Sequence, residues 1–280
     1  MGLKITTLIE NMPDTENKLV CEHGFSVFIE FDGMQILFDT GQSGIFLENA
    51  WKLGIKPEEA DYVILSHGHY DHTGGVPALV NKMKKPTSFY VGNGFFEPKY
   101  KKTEENNYKY NGNPFTKEQL EYENSPVQWN IVKENVTWLT EKMVLFKNFE
   151  RRNSYETVNP KFFLKTEDEY RQDLFAEEIA LGLVTEEGLV LIVGCSHVGI
   201  VNIVEHVKEE AHLPICAVLG GTHLVEAGEE RLRQTVERLR TYGIGTIAVS
   251  HCTGEKGMEL LRKEFSDGFV QNNTGHVMSF

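Results

Sequence analysis

The sequence predicts an α/β protein built as a four-layer sandwich, in which two β-sheets pack face to face and helices cover both outer faces. Three observations lead to this prediction. A pattern of hairpin, helix and strand occurs twice, a buried strand leads into a histidine cluster at residues 67–72, and a segment of weak periodicity separates the two copies. We therefore expect residues 1–280 to form one domain of two similar halves, with an insertion at residues 95–173.

The first half is predicted to begin with a strand and a hairpin. Asp32-Gly33 lies between two apolar runs, which is a strong short-range signal for a hairpin. A helix follows and ends before Gly54, and the next apolar run reads as a buried strand. The predicted strands are 4–10, 25–31, 34–39 and 61–66, and the predicted helix is 44–53.

The second half repeats this order. Its hairpin is predicted to turn at Glu187-Gly188, and aligning this turn with Asp32-Gly33 gives hairpin, helix and strand in the same succession. The predicted strands are 179–184, 189–194, 215–219 and 245–249, and the predicted helix is 199–210. If the two sheets bury their apolar faces against each other, the ends of their strands share one edge of the sandwich.

The segment at residues 95–173 has a different character. It contains a helix-like stretch at 116–123 and strand-like stretches around 136–147, separated by polar sequence. Insertions of this length in a compact domain are typically lids, binding elements or interfaces. A lid, a substrate-binding element, a contact within a homo-oligomer and a plain structural elaboration are the alternatives.

Composition favours a soluble cytoplasmic protein without a membrane partner. The chain has 280 residues, of which 40% are hydrophobic and 25% charged, and it contains neither an 18-residue apolar run nor the apolar core of a signal peptide. The cysteines are too few and too scattered to suggest a disulfide framework, so we expect reduced thiols. They are Cys21, Cys195, Cys216 and Cys252.

A formal net charge of −13 argues against nucleic acid as a partner, because a protein that follows a phosphate backbone needs a basic face. A small anionic substrate would instead need a local basic patch. The candidates are Lys99, Lys101 and Lys102, and the pair Arg151-Arg152, all in the middle segment. The alternative for each group is a solvated basic surface.

The histidine cluster His67-Gly68-His69-Tyr70-Asp71-His72 predicts a metal site, since imidazole and carboxylate ligands suit zinc, manganese or iron. Alternation along extended backbone points His67 and His69 to the same side, which gives two ligands for one ion. Asp71 and His72 diverge from them and could serve a second ion. The alternative is a polar loop with surface histidines.

Three further histidines follow predicted strands, and each stands near glycine, serine or threonine. They are His197 after Gly194-Cys195, His223 after Gly220-Gly221, and His251 after Ser250. Six of the ten histidines therefore lie at strand exits. The weaker candidates for metal ligands are His206, His212 and His276. His23 is interpreted either as a pocket residue or as a structural one.

These motifs resemble the metallo-β-lactamase fold superfamily. The H-x-H-x-D-H loop is similar to the loop that defines it, and further segments resemble one branch, which is named for a pterin-condensing synthase of archaeal methanopterin synthesis. The segments that carry this resemblance are 22–26, 38–42, 66–75, 194–197, 220–224 and 251–254.

The resemblance implies one or two ions, zinc first, with manganese or iron as alternatives. It implies His67, His69 and His197 as ligands of one ion, and Asp71, His72 and His251 as ligands of the other. His223 is a further candidate, as a ligand or as a donor to substrate. Asp39 would orient the ligand loop, since ligating imidazoles need a partner that fixes their tautomer.

The sequence also departs from the pattern of the family. Binuclear members have a histidine between the first cluster and the second hairpin, whereas this chain has none between His72 and His197. They also have a bridging aspartate after a glycine, and here Gly194 is followed by Cys195. His197 would replace the missing histidine, and Cys195 is either near the bridging position or simply buried, which we favour because thiols are common in cores.

The leading functional hypothesis is a hydrolase or group transferase that acts on a small anionic, phosphate-containing substrate through metal-activated water or a metal-stabilised leaving group. Asp71 would ligate the metal or orient the water, and Arg151 or Arg152 would contact phosphate beneath the insertion. The alternatives are a pterin-condensing synthase, a non-catalytic metal- or ligand-binding protein, and a di-iron redox protein, for which the chain shows no room for the expected flavin module.

Overall fold

Two seven-stranded β-sheets and a smaller four-stranded sheet form the framework of the computed structural model, which describes residues 2–105 and 107–280. The strands are β1 (Lys4–Ile9), β2 (Ser26–Phe31), β3 (Met34–Phe38), β4 (Tyr62–Ile64), β5 (Thr87–Gly92), β6 (Lys99–Lys102), β7 (Tyr108–Tyr110), β8 (Val127–Val132), β9 (Val136–Trp138), β10 (Met143–Phe146), β11 (Phe162–Lys165), β12 (Tyr170–Gln172), β13 (Ala180–Thr185), β14 (Gly188–Ile192), β15 (Ile215–Gly220), β16 (Thr246–Val249), β17 (Phe269–Gln271) and β18 (Val277–Ser279). The α-helices are α1 (Ile45–Lys52), α2 (Tyr70–Thr73), α3 (Val76–Val80), α4 (Lys117–Leu120), α5 (Ile200–Ala211), α6 (Glu229–Arg240) and α7 (Gly254–Phe265).

The two large sheets have matching topologies. The first has the order β18-β1-β2-β3-β4-β5-β8 and the second the order β17-β16-β15-β14-β13-β10-β9. In each, an antiparallel hairpin is followed by two parallel pairings: β2 and β3 lead into β4 and β5, and β13 and β14 lead into β15 and β16. The predicted repetition of hairpin, helix and strand is confirmed.

The core has three layers of apolar contact, which makes the molecule a helix/sheet/sheet/helix sandwich. The inner layer joins the facing sides of the large sheets, as Ile29 and Ile36 of the first sheet belong to the same cluster as Leu181 and Ile192 of the second. One outer layer packs α1 and α3 on the first sheet, and the other packs α5, α6 and α7 on the second. The predicted fold class is confirmed.

The two hairpins differ at their turns. Phe31 pairs with Met34, and both intervening residues have positive φ angles, 51° at Asp32 and 80° at Gly33, as predicted for a tight Asp-Gly turn. In the second hairpin Thr185 pairs with Gly188, so the turn lies one residue earlier than predicted. Gly188 instead opens β14, and glycine is needed there because a Cβ atom would lie 2.5 Å from the carbonyl oxygen of Pro214.

The segment at 95–173 is divided by strands of the large sheets. The strand β8 forms an edge of the first sheet, and β9 and β10 form an edge of the second. What lies outside the sandwich is the small sheet of order β12-β11-β6-β7, together with α4 and its loops. The membership of β8 and β9 in the large sheets was hidden because these edge strands are partly exposed and carry a weak apolar pattern, whereas all four residues of β10 are buried.

Among the described residues, no helix combines the length and the apolar character that crossing a membrane requires.

Candidate metal centre

Four strand exits meet at one edge of the sandwich. The loop with His67 and His69 follows β4, His197 follows β14, His223 follows β15 and His251 follows β16. Because β14, β15 and β16 run parallel, their carboxyl ends lie side by side, and the face-to-face packing of the sheets brings the end of β4 opposite them. The loops therefore bring side chains from both halves into one site.

The first group of candidate ligands consists of three histidines. The Nε2 atom of His67 lies 3.2 Å from the Nδ1 atom of His69, and the ring of His197 lies 4.8 Å from each of their rings, centroid to centroid. All three are buried, and one nitrogen from each lies within 4.8 Å of the others. The group could hold one metal ion.

The second group combines Asp71, His72, Cys195 and His251, whose ligand atoms also lie within 4.8 Å of one another. The Nε2 atom of His72 lies 3.1 Å from the Sγ atom of Cys195 and 3.2 Å from the Nε2 atom of His251. The Oδ2 atom of Asp71 lies 3.5 Å from Nε2 of His251. Cys195 is buried, as we favoured, but its sulfur faces the cluster rather than the apolar core.

A hydrogen-bond chain fixes the orientation of two of these imidazoles. The carboxylate of Asp39 accepts hydrogen bonds from the backbone N–H and the hydroxyl of Ser66, both at 2.7 Å, and from Nδ1 of His72 at 2.6 Å. Since the hydroxyl proton of Ser66 points to Asp39, the Ser66 Oγ atom accepts from Nδ1 of His67 at 2.9 Å. Both imidazoles thus keep the lone pair of Nε2 for a ligand.

Other supporting residues were not predicted. The carboxylate of Glu10 accepts a hydrogen bond from the backbone N–H of His251 at 2.9 Å. The Asn11 Oδ1 atom accepts one from Nδ1 of His251 at the same distance. The carboxylate of Glu178 accepts the backbone N–H groups of His197 and Val198 at 2.8 and 3.0 Å. The sequence offered only one signal for them, which is that acidic residues stand at the ends of otherwise apolar strands.

Burial keeps the first group uncharged. It lowers the pKa values of His67, His69 and His197 well below the usual range, so that their rings are neutral and present lone pairs. Burial alone would also lower the pKa of His251, but the hydrogen bond to Asp71 raises it to about 9. Burial alone would raise the pKa of the Asp71 carboxyl, but the neighbouring imidazoles hold it well below its usual range.

The donor set fits a metal ion of the zinc type. Within the described part of the chain, Nε2 of His69 and both ring nitrogens of His197 are buried without a hydrogen-bond partner, which is costly for a protein interior unless a ligand completes the site. A tetrahedral zinc ion with nitrogen ligands at ~2.0–2.1 Å has ligand atoms about 3.3 Å apart. The observed nitrogen spacings of 3.2 Å are close to this value.

His223 and Cys252 lie beside these groups. The ring of His223 lies 4.3 Å from the ring of His197, centroid to centroid, and the Sγ atom of Cys252 accepts the backbone N–H of His223 at 3.3 Å. With Cys195 they form a further set of potential ligand atoms within 4.8 Å of one another. Sequence reasoning passed over Cys252, although it directly follows His251 at a strand exit.

The site opens on a cavity of about 230 Å³. Its lysine is Lys101, whose Nζ atom lies 5.4 Å from the centroid of the Phe162 ring and 4.0 Å from the Glu226 carboxylate. The lining residues are Asn11, His23, His69, Tyr70, Asp71, Lys101, Asn111, Phe162, Cys195, His197, His223, Val225, Glu226, His251 and Cys252.

Arg151 and Arg152, the two arginines predicted to contact substrate, are not among the residues that line this cavity. The guanidinium of Arg151 donates two hydrogen bonds of 3.1 Å to the carbonyl oxygen of Leu174, and Arg152 forms ion pairs with Glu150 and Glu209. The two adjacent arginines were visible in the sequence, but the partners that their guanidinium groups find depend on the tertiary fold.

A buried ion triad supports the back of the site. The Nζ atom of Lys99 lies 2.7 Å from Asp173 and 2.6 Å from Glu177, and 5.1 Å from the centroid of the Phe175 ring. That ring stacks on the imidazole of His197 at 3.9 Å with an interplanar angle of 6°. The small sheet, which contains Lys99, is thereby connected to the candidate metal ligands.

Comparison with known proteins agrees with this architecture. The chain is 30% identical to the 7,8-dihydropterin-6-methyl-4-(beta-D-ribofuranosyl)-aminobenzene-5'-phosphate synthase of Methanocaldococcus jannaschii, over 100% of this chain and 97% of that protein. It is also 30% identical to an uncharacterized protein of the same organism, over 98% and 99% of the two chains.

A solved structure and a family model give the same assignment. The structure of Tm1679, described as a metal-dependent hydrolase of the beta-lactamase superfamily, superposes with a TM-score of 0.85 at 32% identity and covers 99% of this chain and 98% of its own. The family model of the metallo-beta-lactamase superfamily matches residues 19–251. Fold, ligand loop and these matches together show that the chain belongs to the metallo-beta-lactamase superfamily.

Proposed function

We propose that this protein is a metal-dependent hydrolase or group transferase that acts on a small anionic, phosphate-containing substrate. The observation that supports this most strongly is the convergence of two groups of potential metal ligands on the wall of a cavity that also contains Lys101. A metal centre beside a basic side chain suits phosphoryl chemistry, in which charge on non-bridging oxygens must be neutralised.

Zinc is the ion we propose, with manganese and iron as alternatives. His67, His69 and His197 would hold one ion, and Asp71, His72 and His251 would hold a second with Cys195 beside them. When bound, such ions would polarise a phosphoryl or carbonyl oxygen and acidify water. The neutral state of the imidazoles of His67, His69 and His197 suits this role, since a protonated ring offers no lone pair.

The side chains of the cavity would position the substrate. The ammonium of Lys101 faces the cavity from the small sheet, 4.0 Å from the Glu226 carboxylate, and would pair with the anionic group in place of that carboxylate. The Phe162 ring forms an apolar wall next to it. The Asp71 carboxylate, which lies 3.1 Å from Nε2 of the half-exposed His23, would ligate the second ion or, with a single ion bound, orient the nucleophilic water.

The test is a substrate screen with metal-reconstituted protein, covering phosphodiesters, phosphomonoesters, lactones and thioesters. We expect turnover of a phosphate-containing class, and we expect His67→Ala to lose the ion of the first group and the turnover. His276→Ala is the matched control because His276 lies outside the cavity lining. Full metal loading without turnover of any class would instead support a non-catalytic metal-binding protein, and retention of metal and activity in His67→Ala would overturn the assignment.

Pterin condensation is a second candidate, supported by 30% identity over the whole chain to a protein named as a pterin synthase. In that reaction a bond would form between the pterin methylene carbon and an arylamine nitrogen or ring carbon, as the carbon–oxygen bond to diphosphate breaks. Pyrophosphate would leave, and the arylamine would lose a proton. Phe162 and Tyr70 provide aromatic surface at the cavity for such a ring system.

Mass spectrometry separates the two candidates. Incubation with a pterin diphosphate and an arylamine would yield a condensed product if the protein is a synthase. A hydroxymethyl pterin and free phosphate or pyrophosphate, with no condensed product, would favour the hydrolase.

A further inference from the structure

Cys195, His223 and Cys252 occupy the exits of three adjacent parallel strands, β14, β15 and β16. A ligand atom from each of these side chains lies within 4.8 Å of the other two. The proposed function assigns the first ion to histidines and the second to a carboxylate and two histidines, so it leaves Cys252 and His223 without a role.

These side chains are buried and poorly satisfied. Cys195 and Cys252 are 3% and 7% exposed, and both ring nitrogens of His223 are buried without a hydrogen-bond partner among the described residues. The Cys252 thiol makes only weak contacts, accepting from the backbone N–H of His223 at 3.3 Å and donating to the carbonyl oxygen of Cys195 at 3.4 Å. A ligand that bound all three side chains would satisfy them together.

The backbone leaves space for the sulfur. A Cβ atom at Gly221 would lie 2.4 Å from the Sγ atom of Cys252 and 2.9 Å from the carbonyl oxygen of Gly194. Glycine is therefore required at this strand exit for the thiol of Cys252 to approach Cys195. Cys195, His223 and Cys252 also line the same cavity as Lys101, so an ion bound by them would be accessible from that cavity.

We propose that Cys195, His223 and Cys252 form a third metal position, which takes a thiophilic divalent ion such as zinc or iron(II). Two thiolates and one imidazole are a softer donor set than the histidine and carboxylate groups, and they disfavour manganese and magnesium. The two thiol protons pass to solvent as the metal–sulfur bonds form. Cys195, with its sulfur 3.1 Å from Nε2 of His72, is shared with the second group.

The test uses the full chain reconstituted with cobalt(II), whose bonds to thiolate give a charge-transfer absorption band in the near ultraviolet. Cys252→Ser preserves the size of the side chain but removes the thiolate. We expect this variant to bind one ion fewer per chain by elemental analysis and to lose most of the band, because both cobalt–sulfur bonds of the third position are lost with that ion and only the contact of Cys195 with the second group remains. Cys216→Ser is the matched control, since Cys216 lies in β15 outside the cavity lining.

Two further variants keep the outcome unambiguous. His223→Gln is expected to lose the same ion while retaining a weaker thiolate band from Cys195, and His67→Ala is expected to lose an ion of the first group while retaining the full band. The failure of the proposed function would therefore appear in His67→Ala and in the substrate screen, not in this band. An unchanged ion count and band in Cys252→Ser, with circular dichroism equal to that of Cys216→Ser, would overturn the third position.

Discussion

The Oδ2 atom of Asp39 lies 2.6 Å from Nδ1 of His72, and both residues are fully buried. The same carboxylate accepts two hydrogen bonds from Ser66, which directly precedes the histidine loop. Asp39 has a φ angle of 56°, a left-handed conformation that aspartate tolerates better than most residues. One side chain thus sets the tautomer of His72 and, through Ser66, that of His67.

Asp39→Asn is expected to weaken metal binding. An amide can accept at only one of the two oxygen positions, and its NH₂ group would face the N–H of His72 or the hydroxyl of Ser66. Loss of such an orienting partner typically lowers metal affinity by roughly 10–100-fold. Competition with a chelator of known affinity measures the change. Asp61→Asn is the control, because Asp61 is a half-exposed partner of Lys85, and equal affinities in the two variants would contradict the orienting role.

Removal of metal is expected to lower the thermal stability of the protein. An ion that binds only the folded state contributes about 2.7 kcal/mol when its free concentration is about 100 times Kd. The melting temperature should therefore fall after chelation, recover with added zinc, and depend on zinc concentration. Differential scanning calorimetry on wild type and His67→Ala measures this, and a zinc-dependent shift of equal size in the two proteins would argue against His67 as a ligand.

Lys101→Met is expected to raise KM for the anionic substrate more than it lowers kcat. Loss of a charge-assisted contact to the substrate corresponds to about a tenfold increase in KM, or about 1.4 kcal/mol. Steady-state kinetics on whichever phosphate ester the screen identifies would measure it. Lys102→Met is the control, because the side chain of Lys102 points to the other face of β6 and does not line the cavity. An effect of the same size in both variants would indicate a general loss of positive charge.

Lys99→Met is expected to destabilise the fold. Lys99 is 1% exposed and is paired with Asp173 and Glu177, so its removal leaves two carboxylates buried without a cation. Breaking a buried ion pair in this way costs about 3–5 kcal/mol. Chemical denaturation measures the loss, with Lys109→Met as an exposed control in the same small sheet. A difference below about 1 kcal/mol between the two variants would mean that the carboxylates are neutral or solvated.

The sequence was sufficient to predict the fold because its signals are local and repeated. Asp32-Gly33 indicates one hairpin directly, and the apolar pattern of the second half repeats the first. The rule that loops at parallel strand ends share one edge then predicted that His67, His197 and His251 would lie together, as the structure places them.

The features of the site that the sequence did not predict depend on contacts between residues distant in sequence. Arg151 and Arg152 form a conspicuous basic pair, but their contacts with Leu174 and Glu209 lie outside the cavity lining. Lys101 and its partner Glu226 both line the cavity, because of the register of the small sheet. The sulfur of Cys195 could equally have been placed in an apolar core. Only the packing of its strand exit against the first half decides which way it faces.

The pairing of β18 with β1 has a consequence for how the chain folds during synthesis. Residues 277–279 hydrogen-bond with residues 4–6, and the side chain of Asn272 accepts from Thr7 at 2.7 Å. One edge strand of the first sheet, β18, is therefore made after every strand of the second. While the ribosome is still translating, β1 has an unpaired edge, and until residues 277–279 emerge the nascent first half is open to pairing with other chains.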